Sequence, residues 1–234
     1  MKRNFLLLLF SCTFCTILFT STIFGQTNSD QVNLFDKANL SEWEFHTNKV
    51  GIKVDEVYSF SDDGILSCRG EPFGWLGTKA EYKNFKLSVN YRWPKGVKPT
   101  NSGVFIRLNK QPEKTFLPRC VEIQLAPKRA GDLYGFHGMK LPAPKGITKE
   151  RVSERDGGEI FGYVNGLKKF DDYEKEAGQW NSLDILCYNG FIIIVLNGKI
   201  ANWVTDAEQT KGKIGFQSEG GQIEFRNAIL NILP

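Results

Sequence analysis

The sequence predicts an all-β fold, a two-sheet antiparallel jelly-roll sandwich, on three observations. Apolar and polar residues alternate with period two over several separated stretches, and Asn-Gly and Asp-Gly pairs punctuate them. Even in residues 126–178, where the alternation lapses, only "TKERVSER" (148–155) reads as a short helix.

The leader comes first. Lys2 and Arg3 form a basic start, Phe5 to Phe24 is apolar, and Gly25-Gln26 closes the run at a small residue. That is the pattern of a signal peptide spanning residues 1–25, cut before Gln26, and it predicts a secreted or periplasmic protein. An uncleaved anchor is the alternative, because the run approaches the length of a membrane span although Ser and Thr dilute it. A lipoprotein reading fits "LLFSC" only loosely. Residues 26–234 read as a single β domain with no internal repeat, long enough for its own core. The net charge of +4 falls by two when Lys2 and Arg3 leave, and so small an excess excludes a nucleic-acid footprint.

Asp62-Asp63-Gly64 reads as a turn into the strand "ILSCR". In "FKLSVNYRW" Phe85, Leu87, Val89, Tyr91 and Trp93 share one face, with Lys86, Ser88, Asn90 and Arg92 on the other, which predicts a strand with one buried face. "TNSGVFIRLNK" (100–110) alternates in the same way and carries Arg107 into its apolar middle. Asn189-Gly190 and Asn197-Gly198 bracket a six-residue apolar strand and predict a three-stranded meander closed by type I′ turns. Near the end the apolar phase is odd at Ile223 and Phe225 and even at Ala228, Leu230 and Ile232. A bulge or a change of sheet is therefore expected around Arg226 and Asn227.

Residues 126–178 sustain no apolar period and are rich in Gly, Pro and charge, so the expectation is a long functional loop over one sheet. Of five cysteines, Cys12 and Cys15 lie in the leader. The remaining Cys68, Cys120 and Cys187 cannot all pair, and one disulfide with one buried thiol, or three buried thiols, are both open.

Several stretches occur in an order that resembles the 3-keto-disaccharide hydrolase family, formerly DUF1080: "VNLFDKANLSEWEF", "YKNFKLSVNYRWP", "NSGVFIR", "VEIQL", "GDLYG", "GQWNSLDILCYNGFIIIVLNGK" and "GKIGFQSEGGQIEFRNAIL". The resemblance covers Val32 to Leu233 and departs mainly within 138–178. It implies a concanavalin-like jelly roll of the lectin and glucanase type, and a secreted hydrolase that separates a sugar bearing a ketone at C3 from its aglycone.

The residues themselves suggest how. A retaining glycosidase needs two carboxylates about 5 Å apart, yet "VEIQLA" supplies Glu122 and then Gln124 and Ala126. One carboxylate suffices for another route. A ketone at C3 acidifies the C2 proton, so a base can form the enolate, expel the C1 substituent by β-elimination and let water add back. Glu122 is the candidate base, with Gln124 on the same strand face; an edge carboxylate or a structural ion pair is the bland reading. Arg107, in phase with Gly103 and Phe105, is the candidate for holding the enolate oxygen, unless it merely pairs with Glu122. Tyr134 or His137 would protonate the leaving group. Asn101, Ser102, Lys79 and Trp75 are candidates for binding substrate, against turn punctuation for the first two and a core position for Trp75.

His46 and His137 show no zinc-binding spacing, so no cofactor is called for, although a divalent metal stays open. Glu219 with Gly220 and Gly221 reads as a hairpin turn, and the acids at 171–176 as a solvated run. The expected partner is an oxidised sugar or glycoside, with neither nucleic acid nor lasting membrane insertion. Two further readings stand beside this one: a non-catalytic carbohydrate-binding module on the same fold, and a conventional endo-glycanase.

Overall fold

The computed structural model describes residues 31–36 and 39–234. The leader and its cleavage point lie outside the described residues. Among those residues two eight-stranded antiparallel sheets pack face to face. The first runs in the order β14 (Lys199–Val204), β13 (Phe191–Leu196), β12 (Asn181–Tyr188), β6 (Phe85–Arg92), β16 (Ile223–Ile232), β4 (Leu66–Cys68), β3 (Tyr58–Phe60), and β1 (Gln31–Asn33) also pairs with β16. The second runs β10 (Val152–Asp156), β11 (Tyr163–Leu167), β9 (Leu133–Gly135), β8 (Arg119–Gln124), β7 (Gly103–Lys110), β15 (Lys213–Ser218), β5 (Gly74–Thr78), β2 (Trp43–Thr47). The architecture is the jelly-roll sandwich the sequence predicts. No described helix is long and apolar enough to cross a membrane.

Alternation explains which side chains meet between the sheets. Phe85, Leu87, Val89 and Tyr91 of β6 join Leu76, Val104, Ile106, Val121, Ile123 and Phe216 of the second sheet in one buried cluster. Full burial of each such side chain contributes about 1.5–3 kcal/mol. The second sheet also buries its outer face: Trp75, Phe105, Cys120 and Phe136, alternating with the core residues, form a separate cluster with Phe116, Leu117 and Val164. A sheet apolar on both faces has something laid over its outside, and here residues 111–117 and the short helix α1 (Gly158–Phe161) cover it.

The meander forms as expected, although its turns differ. Asn197 (φ 52°) and Gly198 (φ 79°) both take the left-handed geometry of a type I′ turn, whereas at the other turn only Asn189 (φ 45°) does. The phase flip near the C-terminus is a bulge. Register on β6 shifts between Arg226 and Ile229, and Asn227 sits at φ 54°.

Two expectations fail for physical reasons. The segment 126–178 is not one loop: it supplies β9, β10 and β11. Its signal is hidden because edge strand β10 buries neither face and so shows no alternation, while β11 carries Gly166 where Tyr134 crosses it. The expected helix over 148–155 is a single 3-10 turn, Lys149–Arg151, that runs straight into β10. Cys68, Cys120 and Cys187 are all free and buried, which selects three thiols from the two options.

Candidate active site

On the outer face of the second sheet, β8 places Glu122 directly across from Phe105 of β7 and Tyr134 of β9. Gly103 precedes Phe105 by one pleat on that face and pairs with Gln124. Its missing side chain is what admits the carboxylate: a Cβ on Gly103 would lie 2.5 Å from Glu122 Oε1 and 2.8 Å from Cγ. Glu122, Gln124, Tyr134 and Asn101 line one cavity of about 120 Å³ together with Arg129, Arg155, Gln217 and Glu219. Leu117, Phe136 and Phe161 form its apolar wall.

The electrostatics of this cavity are unusual. Glu122 is 2% exposed, and burial followed by the charge of Glu219 pushes its carboxyl well above the usual range, against the pull of the Arg129 guanidinium. Burial also raises Glu219, opposed by a hydrogen bond from Asn101 and by Arg129. Gln217 Nε2 donates to Glu219 Oε2 at 2.6 Å. Arg129 is held in place by donating to Tyr134 Oη at 2.7 Å and by Asp132 at 3.5 Å. Tyr134 Oη in turn donates to Asp132 Oδ2 at 3.1 Å. Three buried acceptors of the cavity, Asn101 Oδ1, Glu122 Oε1 and Gln217 Oε1, have no protein partner. Buried acceptors without donors are costly, so the cavity is built to receive hydroxyl or water hydrogens. Among the described residues no three His, Cys, Asp or Glu side chains come together as a metal site.

Other expected members are elsewhere. Arg107 does not share the face of Gly103 and Phe105. It sits at φ 55° in a bulge where β7 carries one more residue than β15 between the pairs Phe105–Gly215 and Leu108–Lys213. The extra residue reverses the phase, and the guanidinium, fully buried, reaches the carbonyl of Glu208 and the neighbourhood of Cys187. Gly212 permits this, since a Cβ there would strike the Arg107 backbone at 2.2 Å. Ser102 faces inward and donates to the Gln217 carbonyl at 2.9 Å. Lys79 reaches the Ser41 carbonyl at 2.7 Å and lines a separate cleft at the β2 edge. Trp75 is on the right face but is buried at 1% exposure under the stacked His46 ring, its Nε1 donating to Gln111. His137 lies 3.1 Å from the Leu117 carbonyl through Nε2 and borders a different cleft, and burial lowers its pKa.

Glu219, Gln217, Arg129 and Arg155 are the residues that sequence reasoning missed. A signal for two of them exists: in "GFQSEGG" Phe216 and Ser218 point one way and Gln217 and Glu219 the other. Arg129 and Arg155 lie in a loop and on an exposed edge strand, where periodicity carries no information.

The model of the family described as "3-keto-alpha-glucoside-1,2-lyase-like domain" matches residues 30–231. The chain belongs to this family. Among solved structures, a proposed glycosyl hydrolase from Parabacteroides distasonis is 25% identical to the lyase-like domain, covering 87% of this chain and 99% of its own, with a TM-score of 0.57. The carbohydrate-binding module CBM66 of Bacillus subtilis is 9% identical over 81% of this chain and 95% of its own, with a TM-score of 0.56. A β-glucanase of Bacillus licheniformis is 11% identical over 86% and 97%, with a TM-score of 0.53. The last two share the fold alone. Comparison with curated proteins gives no match. The family, with the Parabacteroides likeness, marks a carbohydrate-active, glycosyl hydrolase-like domain.

Proposed function

We propose that the lyase-like domain is a secreted enzyme that cleaves 3-keto-glycosides by β-elimination and hydration, in the cavity around Glu122. The observation that supports it best is the pair of carboxyls lining one cavity, buried Glu122 and half-buried Glu219, both raised in pKa by burial. Two such groups in one cavity disfavour each other's charge, so one is protonated and serves as acid while the other is ionised and serves as base.

The roles divide by environment. Glu219 accepts hydrogen bonds from Gln217 and Asn101, which favours its ionised form, and it takes the C2 proton. The electron pair moves to the C3 oxygen, and Arg129, the cation that acts on both carboxylates, offsets the enolate charge in place of Arg107. Glu122, more deeply enclosed and with Oε1 free of donors, stays protonated and gives its proton to the C1 oxygen as that bond breaks. This reverses the role the sequence suggests for Glu122, because strand phase does not reveal its acidic neighbour. Tyr134 positions Arg129 and completes the polar wall. Addition of water across C1=C2 runs the same two groups backwards.

The test is to supply a 3-keto-glucoside in deuterated water and follow both aglycone release and the label at C2. Release with deuterium at C2 is expected, and Glu122→Gln and Glu219→Gln each lose activity by about 10²–10⁴-fold. Release without the label would replace elimination by direct hydrolysis, the second reading that a carboxylate pair favours. Saturable sugar binding without any product would leave a binding module.

A further inference from the structure

Three side-chain amides line the Glu122 cavity, those of Asn101, Gln124 and Gln217. Each is turned by a partner on the protein side, so donor and acceptor chemistry decides which end faces the cavity. Gln124 Oε1 accepts from the backbone N–H of Leu125 at 2.9 Å and of Ala126 at 2.8 Å. Only the oxygen of an amide can face two N–H groups, and both of its lone pairs are then taken. The free end of Gln124 is therefore Nε2, which makes no hydrogen bond to a described residue.

Asn101 and Gln217 are turned the other way. Gln217 Nε2 donates to Glu219 Oε2 at 2.6 Å, and Asn101 also bonds Glu219. Their carbonyl oxygens, Asn101 Oδ1 and Gln217 Oε1, are left buried without partners. The three amides thus offer two fixed acceptors and one fixed neutral donor. Hydroxyl groups have hydrogens to give, and the two amide oxygens take them. A ketone oxygen accepts only, and of the three amides Gln124 alone presents an uncommitted N–H to it. Gln124 follows Glu122 by two residues on the same face of β8, about 7 Å along the strand, a span that one sugar ring bridges.

We infer that Gln124 is a further catalytic residue: its Nε2 donates to the C3 ketone oxygen and holds the charge that gathers there, while Asn101 and Gln217 accept from hydroxyls of the same ring. This inference rests on the cleavage reading for the Glu122 cavity and names the group that recognises the oxidised carbon. As Glu219 takes the C2 proton, the C–H electron pair forms the C2=C3 bond and the carbonyl pair moves to the C3 oxygen. The hydrogen bond from Nε2 strengthens with that charge, and Gln124 itself neither gains nor loses a proton. A donor fixed by two backbone groups has no need to reorganise as the charge develops.

Gln124→Met, similar in length and unable to donate, tests this on methyl 3-keto-glucoside. Loss of one such donor costs about 10²–10³-fold in kcat, and KM should change by less than about tenfold. Methyl 3-deoxyglucoside, which has no oxygen at C3, is the control, and its Kd should agree within about twofold between wild type and variant. Unchanged kcat would overturn the assignment. So would a matching loss of 3-deoxyglucoside binding, since Gln124 would then only shape the cavity. If wild type releases no methanol, the cleavage chemistry fails and titration decides for Gln124. Tighter binding of the ketone than of the 3-deoxy sugar, abolished in Gln124→Met, supports the bond, and no such difference overturns it. If Gln124→Met does not fold, the side-chain amide signals of Gln124 are followed by NMR in Glu122→Gln, which turns the ketone over slowly. An amide-proton shift produced by the ketone and not by the 3-deoxy sugar supports the bond, and identical spectra overturn it.

Discussion

Gly103→Ala is the smallest change that reaches the proposed acid. The backbone of Gly103 lies in strand β7 outside the left-handed region, so alanine is conformationally free to enter. The added methyl group would lie 2.5, 2.8 and 3.0 Å from Oε1, Cγ and Cδ of Glu122, where ordinary contacts begin near 3.4 Å. The carboxyl must therefore retreat by roughly 1 Å, and a displacement of that size from productive geometry costs about 10²-fold in rate. Crowding a packed site costs about 1–3 kcal/mol, which in a domain of this size lowers Tm by about 2–4 °C per kcal/mol. Steady-state kinetics and thermal unfolding on the same preparation give both numbers. Gly215→Ala, a control on the same face with nearest contacts of 3.3 and 3.4 Å to Leu108 and Phe105, should stay near wild type in both. A Gly103→Ala protein that melts a few degrees lower but turns over normally would refute the placement of Glu122 at the reacting atoms.

Because the folded-state pKa of Glu122 is raised, the folded chain keeps a proton that the unfolded chain loses, and stability declines as pH rises above the normal carboxylate range. Glu122→Gln should therefore raise Tm at pH 8 by at least about 2 °C and raise it less at pH 5, as measured by differential scanning calorimetry. Glu174, held by Tyr91 Oη at 3.0 Å and Trp93 Nε1 at 3.2 Å and raised by burial to about 7, adds a decline of the same sign between about pH 4.5 and 7. Replacing it with Gln should flatten that part of the stability curve. Arg107→Met, which removes a guanidinium outside the cavity, should leave kcat/KM within about twofold in the aglycone-release assay, whereas a loss near that of Glu122→Gln would return Arg107 to the reaction.

Strand content, the sandwich, the meander and the C-terminal bulge were legible because one buried face imposes a period of two on β6, β12 and β16. The same rule misassigned Arg107, since a single inserted residue reverses every side chain beyond it and Arg107 is that residue. Glu122, Gln124 and Tyr134 could be grouped from strand phase and chain proximity. Glu219 could not, because the glycines after it resemble a hairpin, while in three dimensions its backbone bridges Asn101 at the start of β7. Neighbours brought together across a sheet from distant parts of the chain leave no periodic trace, and the two acids of this cavity are such neighbours. Strand β10 within 126–178 was hidden by solvent, since exposed edges select for charge.

The three thiols have a consequence for how the molecule can be made. Cys68, Cys120 and Cys187 are each enclosed within the packed interior, and burial holds all three thiols above their ordinary pKa, in the unreactive neutral form. No covalent bridge among them takes part in assembly, so neither an oxidant nor a disulfide isomerase is needed to reach the native state. The described sandwich can form equally in a reducing or an oxidising compartment, and material comprising residues 26–234 made in a reducing cell should be the same folded species as material recovered from an oxidising one.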